Sequence, residues 1–302
     1  MEAEALRSKP FRADAFLPTT TYYELRSAAA GGEYAVWVTL PVGYKPDDGK
    51  KYPVVYVQDG NLMAPFIGCF NKVMPVDVIS PIRPFIAVSI GYAPDDAAHC
   101  SSLRMRDLVP PGEPANPMAL QALERNVAAG LMTEKEKDAA VAGMGNNRAD
   151  LFLRFICDEL HPLISSRFNA DENDVGLFGY SYGGLFSLYA ALNPEPLITK
   201  FGACSAGMLT ENTVIFSILR QLRERNTELP KRRLLLTINE RELTAASFYQ
   251  TMGLCFSAVS RDLGQSPIPG LEPVSDIIPG TTHVTGTTAA WFRFIREFYS
   301  EE

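Results

Sequence analysis

From about Tyr52 onward, short runs rich in β-branched and aromatic residues alternate with longer stretches whose apolar residues recur at helical spacing. That alternation predicts an α/β sheet with helices on its faces. Buried-strand candidates are Val54 to Gln58, Ile86 to Ile90, Val175 to Phe178, Phe201 to Ser205, Leu234 to Ile238 and Val274 to Ile278. Two earlier runs, Thr21 to Ser27 and Tyr34 to Leu40, flank Ala-Ala-Ala-Gly-Gly and predict an antiparallel hairpin ahead of the parallel part. The clearest helix is Asp150 to Arg167, where Leu151, Phe152, Phe155, Ile156, Leu160, Leu163 and Ile164 form one apolar face behind a cap expected at Asp150. Further helices are predicted over Ser181 to Leu192, Thr213 to Arg225, Ala245 to Leu263 and Thr287 to Tyr299, the last closing the fold.

One stretch, Pro110 to Arg148, holds no strand candidate and interrupts the alternation, so it is expected to be an insertion. Asn116-Pro117 predicts a helix start with Gly130 as its stop, and Thr133 with Glu136 forms a capping box ahead of a second helix ending at Gly143. Its Met118, Leu120, Leu123, Val127, Leu131 and Met132 need a surface to cover, either the mouth of an active site or the edge of the sheet.

Charge narrows the function classes. With 28 Lys+Arg against 35 Asp+Glu and no basic tract, the chain carries a formal −7 and lacks the clustered cations that a nucleic acid requires. No apolar run approaches the roughly 18 residues that span a bilayer, and Met1 to Phe16 has no signal-like apolar core, so a soluble, cytoplasmic protein is expected, with no membrane partner. The five cysteines, Cys69, Cys100, Cys157, Cys204 and Cys255, are scattered and never form CxxC, which argues against a metal site or a disulfide framework and suggests buried structural thiols.

Candidate chemistry concentrates at Gly179-Tyr180-Ser181-Tyr182-Gly183, a GxSxG string between a predicted strand and a predicted helix. Such a turn strains the serine backbone, exposes its hydroxyl at the carboxyl edge of the sheet and frees the Tyr182 N–H for a developing oxyanion. A serine hydroxyl needs a base, and the chain offers three histidines. His161 lies within a helical face and His99 precedes the nucleophile, whereas His283 follows the last strand, where the Ser, acid, His order puts the base. The acid is sought after Leu234 to Ile238, in Asn239-Glu240-Arg241-Glu242: Glu242 reaches furthest, Glu240 is the alternative, and the absence of any acid remains open. The second oxyanion amide is expected from Asp59-Gly60-Asn61-Leu62, at Asn61 or Gly60.

These residues resemble the putative esterase family of α/β-hydrolases, which includes enterochelin esterases, siderophore trilactone hydrolases and S-formylglutathione hydrolases. The likeness runs through Tyr34 to Pro41, Tyr52 to Asn61, Arg104-Met-Arg106-Asp107-Leu-Val-Pro110, Phe152 to Leu160, Gly179 to Phe186 and Gly280-Thr-Thr-His283. The strand candidates already number about eight, in a mostly parallel sheet; the resemblance implies an α/β-hydrolase fold, no cofactor, and Ser181 and His283 as nucleophile and base. In the siderophore-hydrolase branch, which the chain resembles best, the acid can be missing. Tyr180 stands where the family usually has histidine, and so long an insertion is unusual; both fall near the expected substrate. Arg104 and Arg106 lie in a segment resembling a substrate-facing one, with a salt bridge to Asp107 as the alternative. Tyr180 and Gly60 are likewise expected at the substrate.

The expected whole is one catalytic domain, residues 1–302, with residues 110–148 as a helical cap. The expected activity is hydrolysis of a small-molecule ester, lactone or thioester through an acyl-enzyme. An acyltransferase or thioesterase would use the same acyl-enzyme, and a silent hydrolase fold used for binding is a third reading.

Overall fold

The computed structural model describes residues 13–94, 100–115, 117–245 and 249–301. Strands β1 (Thr20–Arg26), β2 (Glu33–Thr39), β3 (Tyr52–Val57), β4 (Ile86–Tyr92), β5 (Ala170–Tyr180), β6 (Lys200–Cys204), β7 (Arg232–Asn239) and β8 (Leu271–Ile278) form one sheet. Their order is β1-β2-β4-β3-β5-β6-β7-β8. The β1–β2 and β2–β4 pairs are antiparallel and every other pair is parallel. The hairpin and the parallel run therefore match the sequence pattern. Central strands are covered on both faces, and Val54, Val55, Tyr56 and Val57 are all 0% exposed, which is why their segment reads as unbroken apolar sequence.

Among the described residues, the helices longer than four residues are α1 (Gly60–Asn71), α2 (Cys100–Leu108), α3 (Pro117–Ala128), α4 (Glu134–Met144), α5, α6 (Tyr182–Ala191), α7 (Val214–Glu224), α8 (Glu240–Thr244), α9 (Gln250–Gln265) and α10 (Gly286–Tyr299). α5 is continuous through Ala149–Arg154, a π-type stretch Phe155–Leu160, and His161–Arg167. The widened stretch ends at His161-Pro162, where proline has no amide to donate to the preceding turn. Phe152, Phe155 and Ile156 of α5, with Leu185 and Phe186 of α6, pack on Val54, Tyr56 and Leu177. On the opposite face, Trp291, Phe294 and Phe298 of α10 cover Val55, Val57 and Phe178.

Several local expectations are corrected. Asp150 does not cap α5: the cap position is Arg148, without a side-chain bond, and Asp150 lies in the first turn, where its charge still favours the helix dipole. The stretch Ala245 to Leu263 is not one helix, because α8 ends at Thr244 and α9 begins at Gln250. α1 and α2 have no counterpart in the pattern reading. α1 begins at a glycine and carries Pro65, and α2 is short and polar, so neither presents an obvious apolar stripe. Cys204 and Cys255 are buried, but Cys69 is exposed.

In the insertion, the Thr133–Glu136 capping box forms and α4 runs past Gly143 to Met144. The expected cap Asn116 lies outside the described residues. Leu123 and Ala140 bury against Met105 of α2, with Met132, Met144 and Tyr182 packed beside them. The insertion thus rests over α2 and next to the Ser181 turn, while Leu131 is 79% exposed and covers nothing. Among the described residues, no helix is long and apolar enough to cross a membrane.

Candidate active site

β4 and β5 flank β3 on opposite sides, so the carboxyl ends of β3 and β5 meet at the point where the strand order reverses, the usual crevice of an open α/β sheet. Asp59 and Ser181 follow those two strand ends. Ser181 sits at φ 59°, ψ −121°, a conformation that few non-glycine residues adopt. Its N–H donates to the Cys204 carbonyl at 3.1 Å, and its own carbonyl accepts from Gly207 N–H at 2.8 Å, which locks the turn between β5 and α6. Gly179 is required by contact, since a Cβ there would lie 1.9 Å from the Gly183 carbonyl oxygen.

The Ser181 hydroxyl lies 3.0 Å from His283 Nε2. The other ring nitrogen, Nδ1, bonds Glu242 Oε1. Glu242 is 1% exposed, and its second oxygen accepts from Ser205 O–H at 2.8 Å, Asn239 N–H at 2.9 Å and the Asn239 side-chain amide at 2.8 Å. Burial pushes this carboxyl up, but the bonds from His283, the Asn239 N–H and Ser205 outweigh it and hold the group below the usual carboxylate range. With Oε2 saturated by three donors, the imidazole is held with Nδ1–H toward Oε1 and Nε2 free to accept from the serine. Glu240 is turned away and accepts from Gly280 N–H at 2.6 Å, helping to shape the loop that carries His283.

Tyr180 holds the same loop. Its hydroxyl donates to the His283 carbonyl at 2.7 Å and accepts from the Asn239 amide at 2.6 Å, while its ring lies 5.2 Å from the imidazole. Burial keeps that hydroxyl above the ordinary tyrosine range, hence a donor. Tyr249 stacks on the imidazole, centroids 4.5 Å apart and planes 21° apart. Of the remaining histidines, His161 is 6% exposed and bonds Tyr56 and Ser165, remote from Ser181 in role, and His99 lies outside the described residues.

A cavity of about 540 Å³ opens at Ser181 and His283, lined also by Asn61, Arg104 and Tyr180. The Tyr182 N–H is the first of α6 and so has no intrahelical acceptor. Asn61 is anchored through its side chain, whose amide donates to the Tyr92 carbonyl at 2.9 Å and whose oxygen accepts the Tyr92 N–H at 2.8 Å. Gly60 does not line the cavity; it packs on β4, where a Cβ would lie 2.8 Å from the Ile90 carbonyl carbon. Arg104 is at the wall, bonded through Nε and Nη2 to both oxygens of Asp59. Arg106 is not: it binds Asp107 at 2.7 and 2.9 Å, and Asp107, 0% exposed, also accepts from Tyr34 O–H at 2.9 Å.

Residues 124–216 match the family model described as putative esterase, a segment that holds Ser181. Over 180 residues the chain is 27% identical to the ferri-bacillibactin esterase BesA of Bacillus subtilis, covering 58% of this chain and 54% of that protein. Over 196 residues it is 24% identical to the siderophore enterobactin esterase of Emericella nidulans, covering 63% and 58%. The likeness in sequence is to esterases. The chain spans about half the length of the relatives it matches in sequence. The fold match is complete: the structure of the BES protein from Bacillus cereus superposes with a TM-score of 0.74 at 20% identity, covering 100% of both chains. The α/β-hydrolase fold implied by the sequence motifs is thereby shown.

Sequence reasoning missed Asn239, Ser205 and Tyr249. Asn239-x-x-Glu242 carried a signal, because Asn followed three residues later by Glu marks a helix start in which the carboxylate turns back to the first amide. Ser205 and Tyr249 approach from other elements and left none.

Proposed function

We propose that the chain is a carboxylic ester hydrolase working through an acyl-enzyme. The observation that carries this is the Ser181 hydroxyl 3.0 Å from His283 Nε2, with Nδ1 on the buried carboxylate of Glu242. Ser181 attacks the ester carbonyl as His283 takes its proton, the N–H groups of Tyr182 and Asn61 receive the oxyanion, and His283 returns the proton to the leaving alcohol. Water, activated by the same imidazole, then releases the acid. Glu242 keeps the tautomer and stabilises the imidazolium, and Tyr180, Asn239 and Ser205 hold Glu242 and the His283 loop in register.

The substrate is a small-molecule ester or lactone; the relatives are named as esterases of siderophores, which supports the ester. Residues 110–148 act as a helical cap on a single catalytic domain, in line with the contact of α3 and α4 with α2 and Tyr182. Five free thiols fit a reducing, cytoplasmic setting.

Ser181→Ala is expected to lower turnover of a p-nitrophenyl ester by about 10⁵–10⁶, and a fluorophosphonate should label Ser181 in the parent alone. Retention of full activity by Ser181→Ala, or labelling elsewhere, would overturn the assignment.

A further inference from the structure

We propose that the cavity at Ser181 selects uncharged, largely apolar esters, and that Asp59 is the specificity-determining residue, because it neutralises Arg104, the guanidinium in the wall. This rests on the hydrolase reading above and names its substrate class.

The apolar part of the cavity wall is Leu62, Met63, Phe66, Phe178 and Val284, with Leu62 70% and Val284 80% exposed. At about 540 Å³ it has room for an aryl or medium-length acyl group. Apart from His283, the charged side chains lining it among the described residues are Arg104 and Asp59. Burial works against the Arg104 charge, but the Asp59 carboxylate outweighs it and holds the guanidinium above its ordinary range. Two of the guanidinium nitrogens are spent on Asp59, and its flat face lies over the Tyr182 ring, 5.6 Å from the centroid. The other polar lining residues, Gln58, Asn61, Tyr180, Thr287 and Thr288, are uncharged, and Gln58 is 2% exposed.

Asp59 is placed for this task by its backbone. It occupies the cap position of α1 at φ 58°, ψ 41°, yet makes no side-chain bond to the helix it precedes. An aspartate there ordinarily accepts from the first turn of the helix; this one turns to Arg104 on α2 instead. The second basic candidate, Arg106, is already paired with Asp107 and lies off the cavity. A carboxylate on the acyl chain would lose its water against apolar walls and meet a guanidinium whose charge is already compensated, so its desolvation goes unrepaid. A neutral chain of the same length meets no such penalty.

The test compares p-nitrophenyl hexanoate with p-nitrophenyl hydrogen adipate, whose acyl chains match in length and differ by a terminal carboxylate. The parent should favour the hexanoate by at least about 30-fold in kcat/KM. Asp59→Asn, tolerated in the left-handed region, releases the Arg104 charge and should raise the adipate-to-hexanoate ratio at least about tenfold. Arg104→Met leaves Asp59 unpaired and should move the ratio down, so the pair of variants remains informative if one fails to fold. A parent that prefers the adipate ester, or a ratio that neither variant moves, overturns the proposal. Ser181→Ala separates the two layers: if it abolishes both reactions while the parent prefers adipate, only the selectivity falls, and if it retains both, the hydrolase reading falls as well.

Discussion

Glu242→Gln isolates what the carboxylate does, because the change alters one atom and almost no volume. Oε2 accepts three donors, from Ser205 O–H, Asn239 N–H and the Asn239 side-chain amide. A glutamine must therefore put its carbonyl oxygen there, which leaves its NH₂ facing His283 Nδ1. That nitrogen then becomes an acceptor, the ring proton moves to Nε2, and Nε2 can no longer take a proton from Ser181. Trapping the wrong tautomer in a Ser-His-acid site typically costs about 10³–10⁴ in kcat, equivalent to about 4–5.5 kcal/mol in the barrier. Stability should change far less, by ~1 kcal/mol or a thermal midpoint shift of about 2–4 °C, since all three donors to the second oxygen keep an acceptor. The assay is steady-state hydrolysis of p-nitrophenyl butyrate, paired with the rate of fluorophosphonate labelling and a thermal melt. Activity within tenfold of the parent, with the melt unchanged, would refute the tautomer argument and leave Glu242 a structural carboxylate.

Three further outcomes are expected. Gly179→Ala should lower the urea midpoint by the equivalent of more than about 4 kcal/mol or prevent folding, because its Cβ meets the Gly183 backbone; Gly264→Ala, with nothing within 4 Å, should be neutral or stabilising by up to about 1 kcal/mol. Burial holds the His161 imidazole below its ordinary range, with Glu172 opposing only in part, so the unfolded chain binds that proton first; stability should fall as pH drops below about 6.5 and level off beneath the lowered folded value, by at most about 1.4 kcal/mol per pH unit. Urea titrations of the parent and His161→Gln at pH 7.5 and 5 check this, and equal slopes would remove His161 as the cause. Arg232, 1% exposed and pushed down to about 10 by burial, donates to the carbonyls of Pro230, Ala191, Asn193 and Glu195 at 3.0, 3.2, 2.6 and 2.8 Å; Arg232→Ala should cost about 3–5 kcal/mol in urea while the kcat per labelled serine stays within twofold.

The strands and the amphipathic helices were legible because burial on two faces, or on one stripe, writes itself into residue order as apolar runs or helical spacing. The Ser181 turn was legible for a related reason: the close approach of β5 and α6 demands glycine two residues to either side, so backbone sterics leave a five-residue mark. His283 followed from the strand order. Helices α1 and α2 were not legible, since Gly60, Pro65 and the polar face of Cys100–Leu108 hide their period.

What tertiary structure alone decided is which charges meet. Local sequence offers Glu240 and Glu242 two residues apart, and helical rotation with the Asn239 and Ser205 donors sends one to His283 and the other to the Gly280 amide. Arg104 and Arg106 read as equivalents in the chain, yet one faces Asp59 across the cavity wall and the other bonds its own neighbour, Asp107. Backbone constraints act over a few residues and are recorded there, whereas Asp59 reaches Arg104 across 45 residues and Glu242 reaches His283 across 41, pairings chosen only when the sheet assembles.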